Sequence, residues 1–118
     1  MSTAANIVVA VVALIHVYIL ILEMFLWDKP AGLRAFGQTQ QVATASKVLA
    51  ANQGLYNGFL AAGLAWGLWL GPNGTNVKVF FLGCVLVAGL YGAATASRKI
   101  LYVQAIPAAI GLALIALS

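Results

Sequence analysis

The sequence predicts an all-α integral membrane protein: a single-domain bundle of four spans with both termini on the non-cytoplasmic side. Three observations carry that expectation. Hydrophobic residues fill 64% of the 118 positions, charged residues only 7%, and the mean hydropathy is +1.02; a soluble globular chain carries about 25% charge. Four segments approach the roughly 20 mainly apolar residues that a helix needs to cross a bilayer core of about 30 Å. The breaks between those segments carry turn chemistry. Six Lys/Arg and two acids cannot keep such a surface in water, and the same composition excludes intrinsic disorder. The net charge of +4 comes from cations that punctuate apolar runs, so it marks topology and implies no nucleic-acid partner. One cysteine, Cys84, excludes an intrachain disulfide and a multi-cysteine metal site.

The first span runs from about Ala5 to Trp27. It lacks a basic leader, exceeds a normal signal-peptide core and is interrupted by His16 and Glu23, so it is expected to be retained. Asp28-Lys29-Pro30 ends it, because proline removes a donor and restricts the residue before it. In the long connection that follows, Leu33 and Phe36 beside Arg34 suggest a short interfacial segment, and Gln38-Thr39-Gln40-Gln41 an early extension of the next helix. The second span covers about Lys47 to Leu70 and closes on Gly71-Pro72-Asn73-Gly74, a turn in which Gly and Asn tolerate positive φ. The third covers about Val77 to Ser97, followed by the charged hinge Arg98-Lys99. The fourth covers about Ile100 to Leu117, with Pro107 expected to kink it. The first and third spans do not align by their polar residues, which speaks against an inverted-repeat transporter.

Orientation follows from cations in short loops. The first connection holds Lys29, Arg34 and Lys47 and the third holds Arg98 and Lys99, against Lys78 alone at the second. Five against one places the first and third connections in the cytoplasm.

Polar side chains within spans are costly and so point to function, about 2.5–3.5 kcal/mol for a central charge on insertion scales. The first span carries His16 and Glu23, the second Asn52, Gln53, Tyr56 and Asn57, the third Tyr91 with Arg98 at its end, and the fourth Tyr102 and Gln104. At about 1.5 Å per residue, Glu23, Asn52 and Gln104 fall about 8 Å inside the cytoplasmic boundary, Tyr91 and Tyr56 at about 10–14 Å, and His16 near the midplane. The outer half is almost wholly apolar. A through-pore would need polar lining in both halves, so a polar pocket open to the cytoplasm is expected. His16 and Glu23 lie two turns apart on one stripe, and Asn52/Tyr56 and Gln53/Asn57 form a polar arc on the second span. Gly54/Gly58, expected opposite that arc, and Gly63/Gly67 repeat the small-xxx-small spacing of close helix contacts. Each polar residue also has a plain structural use: Glu23 paired with Arg98 or Lys99, His16 as a hydrogen-bonded core residue, the amides as interhelical ties. Cys84 among apolar residues reads as packing, and Trp27, Trp66 and Trp69 as interface anchors. One His and one Glu do not make a metal site, and no phosphate loop or nucleophile elbow is present, so no cofactor is expected.

The stretches His16-Val17-Tyr18-Ile19, Leu22 to Trp27, Pro30, Phe36 and Asn52-Gln53-Gly54-Leu55-Tyr56-Asn57-Gly58-Phe59-Leu60-Ala61 resemble a bacterial family of inner-membrane proteins of about this length, classed as a domain of unknown function. The resemblance covers nearly the whole chain; it implies four spans in the bacterial inner membrane and carries no established activity. The architecture is also similar to that of the membrane-associated eicosanoid and glutathione metabolism proteins, whose polar sites lie between the subunits of a trimer. Their Arg-Ala-x-x-Asn-x-x-Glu pattern is not kept, since Val48, Leu49 and Leu55 stand at its other positions around Asn52.

Two functions are expected from this set. The first is a homo-oligomeric membrane protein that binds or acts on an amphipathic small molecule; as an enzyme it would use Glu23 or His16 as acid/base, Tyr91 or Tyr56 as hydroxyl donor and Arg98 as anion clamp, with Asn52, Gln53, Asn57, Tyr102 and Gln104 lining the site. The second is a proton-coupled transporter exchanging a proton at Glu23, similar in size to the small multidrug resistance transporters. A structural or assembly subunit of the bilayer is the third.

Overall fold

The computed structural model describes residues 2–118. The described chain is all-α. Its five α-helices are α1 (Thr3–Met24), α2 (Pro30–Phe36), α3 (Gln40–Trp69), α4 (Thr75–Thr95) and α5 (Ile106–Ala116); a 3-10 turn at Gly71–Gly74 joins α3 to α4, and a π-helical turn at Leu101–Ala105 leads into α5.

Helix α1 ends three residues before Trp27. The amides of Phe25 and Leu26 both donate to the Ile21 carbonyl, at 3.0 and 3.2 Å, which closes the ladder before the Asp28-Lys29-Pro30 turn. Pro30 then opens α2, a place where its missing N–H costs nothing, and Gly37 ends that helix in the left-handed conformation at φ 60°. The polar run at Gln38 is a helix start. The Thr39 hydroxyl accepts the amide of Val42 at 3.3 Å as an N-cap, so α3 begins at Gln40, ahead of Lys47, and its 30 residues extend about 45 Å.

Pro107 leaves its mark one turn upstream. Its ring and missing N–H disturb the preceding helical ladder, and the chain absorbs this by widening to a π-turn over Leu101–Ala105. The fourth apolar segment is thereby split into a π-turn and an 11-residue α5.

By contact density the chain divides into two units, one formed by residues up to Ile15 together with Leu60–Ser118, the other by His16–Phe59. The core of the first unit gathers Val9, Val12, Ala13, Leu64, Leu82, Val85 and Ala108. Backbone approach is close there: a Cβ on Gly89 would lie 2.6 Å from the Ala105 nitrogen. In the second unit Trp27 is the clasp. Its ring packs on Phe36 at 4.7 Å between centroids, its Nε1 donates to the Ser46 hydroxyl at 3.1 Å, and Lys47 pairs with Asp28 at 3.1 Å. Gly32 lies against the backbone of Leu26 and Trp27, with no room for a side chain.

Two stretches, Thr3–Met24 and Gly71–Thr95, are long and apolar enough to cross a membrane; Leu101–Ala116 is a shorter apolar helix. Large apolar side chains such as Leu14, Val48 and Phe80 are exposed along the helices, and Phe25 and Leu117 just beyond helix ends.

Candidate functional site

The buried polar chemistry of the second unit centres on Glu23. This carboxylate sits in the last turn of α1 and is only 8% exposed. The Asn57 side chain, on α3, donates from Nδ2 to Glu23 Oε1 at 2.5 Å. Glycine makes the approach possible: a Cβ on Gly54 would meet Met24 Cγ at 2.6 Å and Glu23 Cβ at 3.1 Å, and one on Gly58 would meet Leu20 Cδ1 at 2.7 Å. Gly54, Asn57 and Gly58 therefore share the α3 face that meets α1. That differs from the sequence expectation, which set the glycines opposite the polar arc. His16, two turns before Glu23 in α1, is completely buried.

The remaining arc does not converge on this pair. Asn52, Gln53 and Tyr56 are exposed on α3, with Tyr56 packed near Phe59 at 6.0 Å between ring centroids. Because α1 ends at Met24, Glu23 also lies closer to the helix end than a span running to Trp27 implied.

The other expected site residues belong to the first unit. Tyr91, Arg98 and Tyr102 are exposed and Gln104 is half-buried. Tyr91 closes one end of an open apolar groove of about 740 Å³ along α4, lined by Val79, Phe80, Gly83, Cys84, Val87 and Ala88. Among the described residues no three metal-ligating side chains gather.

Sequence reasoning missed Lys78. The charge pattern of the sequence sets it among the loop cations, yet it lies in the first turn of α4, 1% exposed. Its Nζ donates to Asn6 Oδ1 in α1 at 3.1 Å, and its stem covers Gly67, where a Cβ would meet Lys78 Cγ at 2.7 Å. The signal was present: Asn6 near the start of one apolar run, a lone lysine near the start of another, and glycines at 67 and 74 to make room.

Outside the helices, the carboxyl of Asp28 is held below its ordinary value, chiefly by the hydrogen bond from Lys47.

A model described as a protein of unknown function, DUF1304, matches residues 10–116, a segment that contains Glu23, Asn57 and Lys78. The uncharacterized protein YpaA of Lactococcus lactis subsp. lactis (strain IL1403) is 32% identical over 108 residues, which span 90% of this chain and 87% of that relative. No solved structure matches. With a family model covering nearly the whole chain and a relative matched over most of both lengths, the protein belongs to the DUF1304 family.

Proposed function

We propose that the chain is a multi-pass protein of the bacterial inner membrane that binds an amphipathic small molecule in the cytoplasmic leaflet, with the Glu23–Asn57 pair as the polar anchor. The observation that carries this is a buried carboxylate whose hydrogen bond comes from a neutral amide. An acid in a membrane helix is costly and is retained where it does something. Simple helix association is achieved more cheaply by two amides.

The spans in this reading are α1, α3, α4 and the π-turn with α5, with both termini outside. The charge bias of the sequence supports that orientation. Lys78, in the first turn of α4, is the lone cation near the turn Gly71–Gly74, against Lys29, Arg34, Lys47, Arg98 and Lys99 at or near the other connections. Asn52, Gln53 and Tyr56, exposed on a membrane helix, favour a homo-oligomer in which a second copy meets them.

Native mass spectrometry of the protein extracted gently with its lipids tests the proposal. The expected result is an oligomer retaining a small molecule that Glu23→Gln releases. An oligomer free of ligand, unchanged by Glu23→Gln, contradicts it.

Proton-coupled transport is the second reading, favoured by the same neutral partner: an amide can face a carboxylate or a carboxylic acid, so the pair does not fix the charge of Glu23. In proteoliposomes that reading requires a pH change on substrate addition, abolished in Glu23→Gln.

A further inference from the structure

We infer that the ligand of the Glu23 site carries an ammonium group: a cationic, amine-bearing amphiphile whose head meets Glu23 while its chain lies along the apolar helices. The inference rests on the proposed binding function and adds the chemical class of the ligand.

Four observations support a cationic amphiphile. Asn57 occupies only Oε1 of Glu23. Among the described residues, the one side-chain polar atom both sealed from the surface and without a partner is Gln38 Nε2, so Glu23 Oε2 is not a sealed orphan and is the oxygen left for a ligand. Next, Glu23 lies in the last turn of α1, where Phe25 and Leu26 have both turned back to Ile21. The final carbonyls of a helix lack intrahelical donors and carry the negative end of its dipole. Carboxylate and helix end therefore carry the same sign, which disfavours an anion near Glu23 and favours a cation.

The chain's other acid is already taken. There are two acids in all, and Asp28 is engaged by Lys47 at 3.1 Å. Finally, the surroundings suit an alkyl chain. Met24 and Leu20 flank Gly54 and Gly58 beside the carboxylate, and Phe25 is exposed next to it. An ammonium both donates to the carboxylate and offsets its charge, which a neutral alcohol or a carboxylate cannot do.

Such a head group has two sources, a free alkylamine or the ethanolamine head of a phospholipid. The test uses the full-length protein in a non-ionic detergent and three probes of equal chain length: decylammonium, decanol and decanoate. Saturable binding is read by calorimetry. The expected result is that decylammonium binds, that Glu23→Gln weakens it by roughly tenfold or more, and that decanoate does not compete. Glu23→Gln keeps the shape and the acceptor for Asn57, so it is expected to fold; Glu23→Asp, which keeps the charge, should restore part of the binding. Displacement of decylammonium by phosphatidylethanolamine but not by phosphatidylglycerol assigns the lipid source, and its absence assigns the free amine. Decanol or decanoate binding as tightly as decylammonium, in a manner sensitive to Asn57→Leu, overturns the cation inference and leaves the amphiphile site standing. Failure of all three probes to bind saturably overturns both.

Discussion

Lys78 and Asn6, 72 positions apart in sequence, are joined by a 3.1 Å hydrogen bond from Nζ to Oδ1 with the lysine 1% exposed. A lysine near a helix end ordinarily snorkels to water; this one folds inward over Gly67. It ties the start of α1 to the start of α4 within the unit that also holds the Val9–Leu64–Leu82 core. A hydrogen bond to a charged group is worth about 1.5–3 kcal/mol, and leaving the charge buried without it costs its desolvation. Asn6→Leu is therefore expected to destabilise the protein by about 2 kcal/mol. The double variant Asn6→Leu with Lys78→Met should recover part of that loss. Denaturation of the four proteins of that cycle in detergent measures the coupling, and additive losses would show that the two residues act independently.

Two glycines make opposite predictions. At Gly54 a Cβ would press on Met24, Glu23 and the Leu20 carbonyl, at 2.6, 3.1 and 3.3 Å. Gly54→Ala should then cost about 1–3 kcal/mol through overpacking. At Gly83, where nothing lies within 4 Å, Gly83→Ala should gain about 0.5–1 kcal/mol from helix propensity. Melting curves of the two variants decide it; equal effects would mean that α3 does not meet α1 at Gly54.

The Asp28–Lys47 pair gives a pH prediction. Asp28 in the folded chain lies below its ordinary value of 3.8, so the folded state holds its proton less tightly than the unfolded state does. Its contribution is present in full above the unfolded value and is lost as pH falls through the folded one. The difference in melting temperature between the wild type and Asp28→Asn should be constant from pH 5 to pH 8 and should shrink below about pH 4. Because Lys47 is solvent-exposed, salt should reduce it as well.

The membrane arrangement is tested by labelling. In a Cys84→Ala background, cysteines introduced at Ser2 and Ser118 should react with a membrane-impermeant maleimide in intact cells, and cysteines at Gln40 and Ser97 only after lysis. The opposite pattern would reverse the orientation drawn from Lys and Arg.

Composition and turn chemistry made the helices legible. Pro30, Gly37 and the Gly71–Gly74 turn fall at element boundaries because proline and glycine act locally. Boundaries set by competition between segments were not legible. Nothing in Phe25-Leu26-Trp27 announces that both amides return to Ile21, and an apolar run reads as continuous helix to Trp27. The sequence predicts a kink at Pro107, but whether a chain bends or widens to a π-turn depends on packing such as Gly89 against Ala105. Glu23 and Asn57 were both marked in the sequence. Their union was hidden because periodicity gives a residue's face relative to its own helix and not which face meets a neighbour. The same limit placed Gly54 on the wrong side, and it hid Lys78 among loop charges.

The central claim is that Glu23 and Asn57 serve a ligand and not merely the contact of α1 with α3. Measuring thermal stability and retained small molecule on the same purified samples of wild type, Glu23→Gln and Asn57→Leu tests it most directly. Glu23→Gln, which still accepts the Asn57 amide, should keep its melting temperature and lose the small molecule. A variant that melts earlier while holding the same molecule at full occupancy would contradict the claim and leave the pair as a tie between helices.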